Sequence, residues 1–256
     1  MSDLESLVSA WKSSAADTIS LLRKIDDYTI STDLPGWSVH DIVAHLAHLE
    51  TVLAHGEQTG FSSPVVTSDY TQVGVDERKD VATADLIDEL EAAVAYRAAN
   101  EVLGSPEEKM PTAPGNSGWT WETTLRNRVI DMWAHEQDIR RAVNKPGNLG
   151  SPGALITSAT FAFGMGFVLG KKVGAKPGTV VRWVVNGETP LDFAFKVDDD
   201  GKAKPTADEA TTTLTMTTEE FTILGAGRKS PDMLSVEISG DVELGERVLA
   251  QMAVTP

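Results

Sequence analysis

Residues 34–50 read LPGWSVHDIVAHLAHLE, and with the next five residues they hold four of the chain's five histidines: His40, His45, His48 and His55. Leu-Pro-Gly-Trp stops whatever precedes it. Ser38 then stands as an N-cap, with Asp41 three residues on in the capping-box position and facing the positive helix end. The helix so opened runs to about Glu57, and its apolar stripe is Ile42, Leu46, Leu49 and Leu53. His45 lies beside that stripe, about 40° round from Leu49 at 100° per residue. His48 and His55 lie farther round and His40 faces away, so His45 is the histidine best aimed at an interior.

The fifth histidine lies in DMWAHEQDIRRA, residues 131–142, on a helix predicted from Trp121 to about Val143 with Thr120 as its cap. Its apolar stripe is Leu125, Val129, Met132, Ile139 and Val143. Asp131, His135 and Asp138 share one flank of it. Residues four apart on a helix stand nearly one above the other, so Asp131 and His135 can reach one ion. Two imidazoles and a carboxylate suit a divalent, zinc-like ion with an open coordination position. On spacing alone a plainer account stays open. His45 would be a core histidine bonded to a backbone carbonyl, and Asp131 and Asp138 a solvated face paired with Arg128 or Arg141.

Around these two helices the pattern predicts two more. Residues 3–26 repeat apolar positions at helical period through Leu7, Trp11, Ala15, Ile19 and Leu22, and residues 80–103 do so through Leu86, Leu90, Ala93 and Val94. A polar loop is expected over 58–79 and a second break at GSPEEKMPTAPGNSG, residues 104–118. Four helices of this length imply a bundle. The linker signal is strongest at NKPGNLGSPG, residues 144–153. Beyond it come an apolar helix over 154–170, strands in TVVRWVVNG, LDFAFKVDDDG, ATTTLTMT and LSVEISG, and short helices in TEEFTILGAGR and DVELGERVLAQM, the last capped by Asp241. The expected division is a helical domain over 1–146 and an α+β domain over 147–256.

Composition narrows the function. A formal charge of −16, from 22 basic and 38 acidic residues, excludes phosphate-backbone binding as a main task, so no nucleic acid is expected. With no cysteine, the chain has neither disulfides nor thiolate ligands of its own, so any thiol chemistry needs an external small molecule. The N-terminus lacks a signal-peptide pattern. The apolar run over 154–170 falls short of the roughly 20 residues a bilayer needs, so no membrane partner is expected and a cytoplasmic location is. Neither a P-loop nor a G-x-S-x-G elbow is present.

LPGWSVHDIVAHLAHLE resembles the second-helix signature of the DinB-like superfamily, in its mycothiol-dependent maleylpyruvate isomerase branch, through Gly36, Trp37, Ser38, Asp41 and His45. The branch's second signature, a carboxylate followed by histidine and aspartate, falls on Asp131, His135 and Asp138. LTMTTEEFTILGAGRKSPDMLSVEISGDVELGERVLAQM is similar to its C-terminal module, which is sterol-carrier-like. The resemblance implies a DinB-like four-helix bundle followed by a smaller sterol-carrier-like α/β sandwich. It implies a divalent metal, zinc in that branch, on His45, Asp131 and His135, with mycothiol as cofactor. Arg228 is implied as the residue that binds the thiol or substrate carboxylate, and Asp138 as the residue that orients His135. The implied activity is isomerisation or S-transfer on a small electrophile such as maleylpyruvate. In it a thiolate adds to an activated cis double bond, the new single bond rotates, and the thiolate leaves or stays. One residue departs from the pattern: the family's ligand carboxylate is usually Glu, and here it is Asp131.

Two other expectations accompany this one. The same fold can serve as a non-catalytic metal-binding protein, or can bury a small apolar ligand among Phe161, Phe163, Phe167, Trp183, Phe193 and Phe195. The chain acts as a monomer or a homodimer.

Overall fold

A computed structural model describes residues 4–57, 62 and 66–255. The chain forms two compact units, Met1–Gly147 and Asn148–Thr255.

The first unit is helical: α1 (Leu4–Leu22), α2 (Val39–His55), α3 (Ser68–Arg78), α4 (Thr83–Asn100) and α5 (Trp121–Ala142). α2 packs along α4, and α1 along α5. The apolar stripes meet in a core of Leu22, Ile42, Leu46, Leu86, Leu90, Met132 and Ile139. Ser38 and Asp41 close the capping box on α2: Ser38 N donates to Asp41 Oδ2 at 2.8 Å, and Asp41 N donates to Ser38 Oγ at 3.4 Å. Thr120 caps α5 by accepting from Thr123 N at 3.2 Å.

The loop expected over 58–79 is corrected in its second half, which is α3; residues 58–61 and 63–65 of it lie outside the described residues. SDYTQVGVDER carries no apolar stripe and buries only Tyr70, Gly74 and Val75. Such a helix is held by tertiary packing rather than by its own pattern. The packing is close: a Cβ on Gly74 would overlap the imidazole of His48 on α2.

The second unit opens with α6 (Pro152–Phe167), capped by Ser151, whose hydroxyl accepts from Ala154 N at 3.2 Å. The helix therefore starts inside the expected linker, with proline at the first position, where its missing N–H costs nothing. It continues as a π-helical turn through Val168–Lys172. A mixed sheet follows, built from β1 (Val180–Asn186), β2 (Leu191–Val197), β3 (Ala203–Pro205), β4 (Thr212–Thr217) and β5 (Glu237–Gly240), in the order β3-β2-β1-β4-β5. β1 pairs antiparallel with β2 and parallel with β4, and β4 pairs antiparallel with β5. α7 (Thr218–Gly225) and α8 (Val242–Leu249) complete the unit, and the class is α+β. The sequence pattern missed β3, which is three residues long and ends in Pro205; only an edge position tolerates a proline there.

Phe161, Trp183 and Phe195 are core residues, and Trp183 stacks on Phe193 with ring centroids 5.3 Å apart. Phe163 and Phe167 instead stand 83% and 62% exposed, so they line no interior. Pro152–Lys172, 21 residues, is long and apolar enough to cross a membrane, and half of its apolar window is buried within the protein. That correction lengthens the expected 154–170 run. The buried face is tight, with Gly166 against the Phe195 ring and Gly170 against the backbone of Gly201 and Ala203.

Candidate metal centre

α2 supplies His45 and α5 supplies Asp131 and His135, and one ligand atom from each lies within 4.8 Å of the other two. His45 Nε2 is 3.5 Å from Asp131 Oδ1 and 3.3 Å from Oδ2. His135 Nε2 is 3.6 Å from Asp131 Oδ1. The two imidazoles meet edge to face at 4.9 Å between centroids. His45 and His135 are buried, whereas the Asp131 side chain is 21% exposed, so the cluster reaches solvent on its carboxylate side.

The groups behind the cluster hold it in this shape. His135 Nδ1 lies 3.1 Å from Asp138 Oδ2, and Asp138 is fully buried. An Nδ1–H donated to that carboxylate leaves the Nε2 lone pair facing Asp131, as a metal ligand requires. Asp138 is itself held by Arg141 Nη2 at 2.5 Å, and Arg141 Nε donates to Asp33 Oδ2 at 2.5 Å. Asp138 is therefore no solvated group. Nor is His45 a core histidine satisfied by a carbonyl, since its Nδ1 is buried without a hydrogen-bond partner among the described residues.

Trp37 closes one side. Its ring is 5.3 Å from His45 and stacks on His135 at 6.2 Å, and its Nε1 donates to Gln72 Oε1 on α3 at 3.1 Å. Gly36 makes this possible with φ +80°, a left-handed turn that delivers Trp37 to the site just ahead of the α2 cap.

Electrostatics follow the same contacts. Burial pushes the Asp131 carboxyl up, but Arg128 and the two imidazoles outweigh it and hold the group well below the usual carboxylate range. Burial lowers His45, with Asp131 opposing only in part. For His135 burial also lowers, yet Asp131 and Asp138 prevail and raise it above its ordinary value. The site thus combines a firm anion, a neutral imidazole and an imidazole that competes for a proton. Two nitrogen donors and one oxygen donor, with the second nitrogen of His135 fixed by a carboxylate, fit a divalent ion of the zinc type.

The other singled-out residues fall elsewhere. His48 is buried against Tyr70, and its Nδ1 is 3.1 Å from Arg78 Nη1. Burial and that guanidinium lower it to about 4. His40 Nδ1 is 2.8 Å from Thr83 Oγ1, and His55 lies 4.6 Å from the Tyr96 ring. Arg228 belongs to the second unit, where its Nη1 donates to Ala226 O at 2.7 Å. Sequence reasoning passed over Trp37 as a wall of the site, and it passed over Glu50. Glu50 follows Leu46 by four and precedes Leu53 by three, so it sits on the apolar stripe, where a buried acid signals a partner.

A family model described as the mycothiol maleylpyruvate isomerase N-terminal domain matches residues 11–140, half of the chain and a span that includes His45, Asp131 and His135. The chain belongs to that family. No curated protein matches it. Among solved structures, a mycothiol-dependent maleylpyruvate isomerase is similar at TM-score 0.59 and 18% identity, and its histidine-to-alanine mutant at 0.61 and 17%. Each comparison covers 93% of both chains. At these identities the likeness establishes a common fold over both units of this family member.

Proposed function

We propose that the protein is a metal-dependent enzyme that uses a small thiol, mycothiol by family, either to isomerise a small electrophile such as maleylpyruvate or a related compound or to transfer the thiol's sulfur onto it. The observation that carries this reading is the convergence of His45, His135 and Asp131, one ligand atom from each within 4.8 Å of the other two, with Asp138 behind His135. A divalent ion held there, zinc by its donor set, favours thiolate over thiol and so supplies a nucleophile at neutral pH.

The chain's own residues do the rest. His45, Asp131 and His135 hold the ion. Asp138 keeps the His135 proton on Nδ1. Trp37 covers the imidazoles and excludes water from that side. Arg228 is proposed as the anchor for a carboxylate of the thiol or substrate, a group its planar fork fits. The thiol co-substrate stays reduced in a cytoplasm, which is where the proposal locates the protein.

Metal analysis joined to an electrophile screen, with and without mycothiol, tests the reading. One divalent ion per chain, lost in His45→Ala, and turnover that needs the thiol are expected. A protein that takes up no divalent ion, or turns over equally without thiol, would overturn it.

A further inference from the structure

Arg128 is fully buried on α5, and its guanidinium nitrogens meet three different surroundings. Nη1 donates to Asp131 Oδ2 at 2.8 Å, and Nε donates to Glu50 Oε1 at 3.0 Å. Nη2 has no hydrogen-bond partner among the described residues. Glu50, also fully buried, is held from its other side by Arg97 Nη1 at 2.5 Å and by Trp11 Nε1 at 3.1 Å. Arg97 in turn lies 4.2 Å above the Trp11 ring and is gripped by Glu101 at 2.9 Å. A train of alternating charges therefore runs from α1, α2 and α4 through α5 and ends on the Asp131 carboxylate.

A guanidinium this close to a cation site repels the cation, so metal affinity does not account for Arg128. Orientation does. Oδ2 accepts from Arg128 and lies 3.3 Å from His45 Nε2, while Oδ1 makes no bond to Arg128 and lies between the two imidazoles, 3.5 Å from His45 Nε2 and 3.6 Å from His135 Nε2. We propose that Arg128, locked by Glu50, is a positioning residue that makes Asp131 a one-oxygen ligand through Oδ1 and so keeps a coordination position free for the thiol. The inference rests on the metal reading above. It also gives the shorter aspartate a physical setting, because the guanidinium holds from behind a side chain with one methylene less reach. Lysine does not replace it: a single ammonium lacks the planar fork that bonds Glu50 and Asp131 in two directions at once.

Cobalt(II) substitution reads this out without turnover. Arg128→Met and the charge-balanced pair Arg128→Met with Glu50→Gln are loaded with cobalt beside the wild type. The double variant keeps the net buried charge level when the guanidinium is removed, so a fold loss from Glu50 keeping only Arg97 as its cationic partner is told apart from the loss of Arg128 itself. Both are expected to keep one cobalt per chain. They should lose roughly half of the visible d–d intensity as Asp131 turns to bind through both oxygens and the site gains a ligand. The apparent dissociation constant of cobalt should stay level or tighten, while KM for the thiol rises about tenfold or more. Arg128→Lys should recover little of the spectrum. A wild-type spectrum in both variants, with cobalt bound, would overturn the role of Arg128 alone. A wild type that binds no cobalt would overturn the metal reading itself, and this inference with it.

Discussion

Replacing Glu50 by Gln tests whether the charge train behind the candidate metal site is an integral part of the first unit. The Glu50 carboxylate is inaccessible to solvent and accepts from Trp11, Arg97 and Arg128 at 3.1, 2.5 and 3.0 Å. Glutamine matches its shape, but it removes the charge and turns an amide NH2 toward donors. Two buried guanidinium groups would then be balanced only by Glu101 and Asp131, at the ends of the train. Breaking a buried ion pair from one side costs about 3–5 kcal/mol. For a chain of this size that lowers Tm by about 10 °C. Urea unfolding of metal-free protein, followed by far-ultraviolet circular dichroism, measures the loss. Arg182→Ala is the matched control: its pair with Asp192 is about half exposed, and its loss should cost less than about 1 kcal/mol. Acid titration adds a second reading. Burial raises the Glu50 carboxyl, but Arg97 and Arg128 outweigh it and hold it below its ordinary 4.5. Its stabilisation is therefore complete above about pH 4.5 and is lost as pH falls through the folded value, a slope that Glu50→Gln should lack. A loss under about 1 kcal/mol at pH 7 would refute the reasoning, since it would mean that the two guanidinium groups do not depend on Glu50.

Three further outcomes are expected. Metal affinity should weaken as pH falls, by about tenfold per unit for each proton released, because a proton on His135, whose affinity for it is raised, competes with the ion; competition with a chelating dye between pH 8 and 6 measures this, and a flat profile would contradict it. His48 is held at about 4 in the folded protein against 6.5 when free, so the unfolded chain alone binds that proton between these values. Stability should therefore drop as pH falls from 6.5 to 4, by at most about 3 kcal/mol, and His48→Asn should flatten that part of the urea-midpoint profile. Gly240 has φ +88°, and a Cβ there would meet the carbonyl of Thr211. Gly240→Ala should cost about 2–4 kcal/mol by strain and overlap, and an unchanged thermal midpoint would show that the β5 turn relaxes freely.

The helices of the first unit were legible wherever one face is apolar and the start is capped. Ser38 with Asp41 and Thr120 each mark a helix start by local chemistry, and Leu46, Leu49 and Leu53 mark a face by spacing. α3 was not legible, because its hold on the fold is a few scattered contacts with no period, among them Tyr70, Val75 and the close approach of Gly74 to His48. β3 was hidden for a related reason: three residues carry no period, and pairing with β2 alone makes them a strand. In the candidate site, Asp131 and His135 lie on one helix four residues apart, so their proximity follows from helical geometry. The third residue, His45, comes from a helix 86 residues away, and only packing joins it to them.

By itself the sequence determined where α2 and α5 begin, that His45 lies beside an apolar stripe, and that the chain has no thiol of its own. These depend on local bonding and on composition, which any window of the chain displays. Only the tertiary structure decided that Asp138 is buried behind His135, that Trp37 covers the imidazoles, and that Arg128, held by Glu50, donates to one oxygen of Asp131. Those contacts join α1, α2, α4 and α5 across long separations. Burial then turns ordinary surface charges into a directed network, because water no longer screens them.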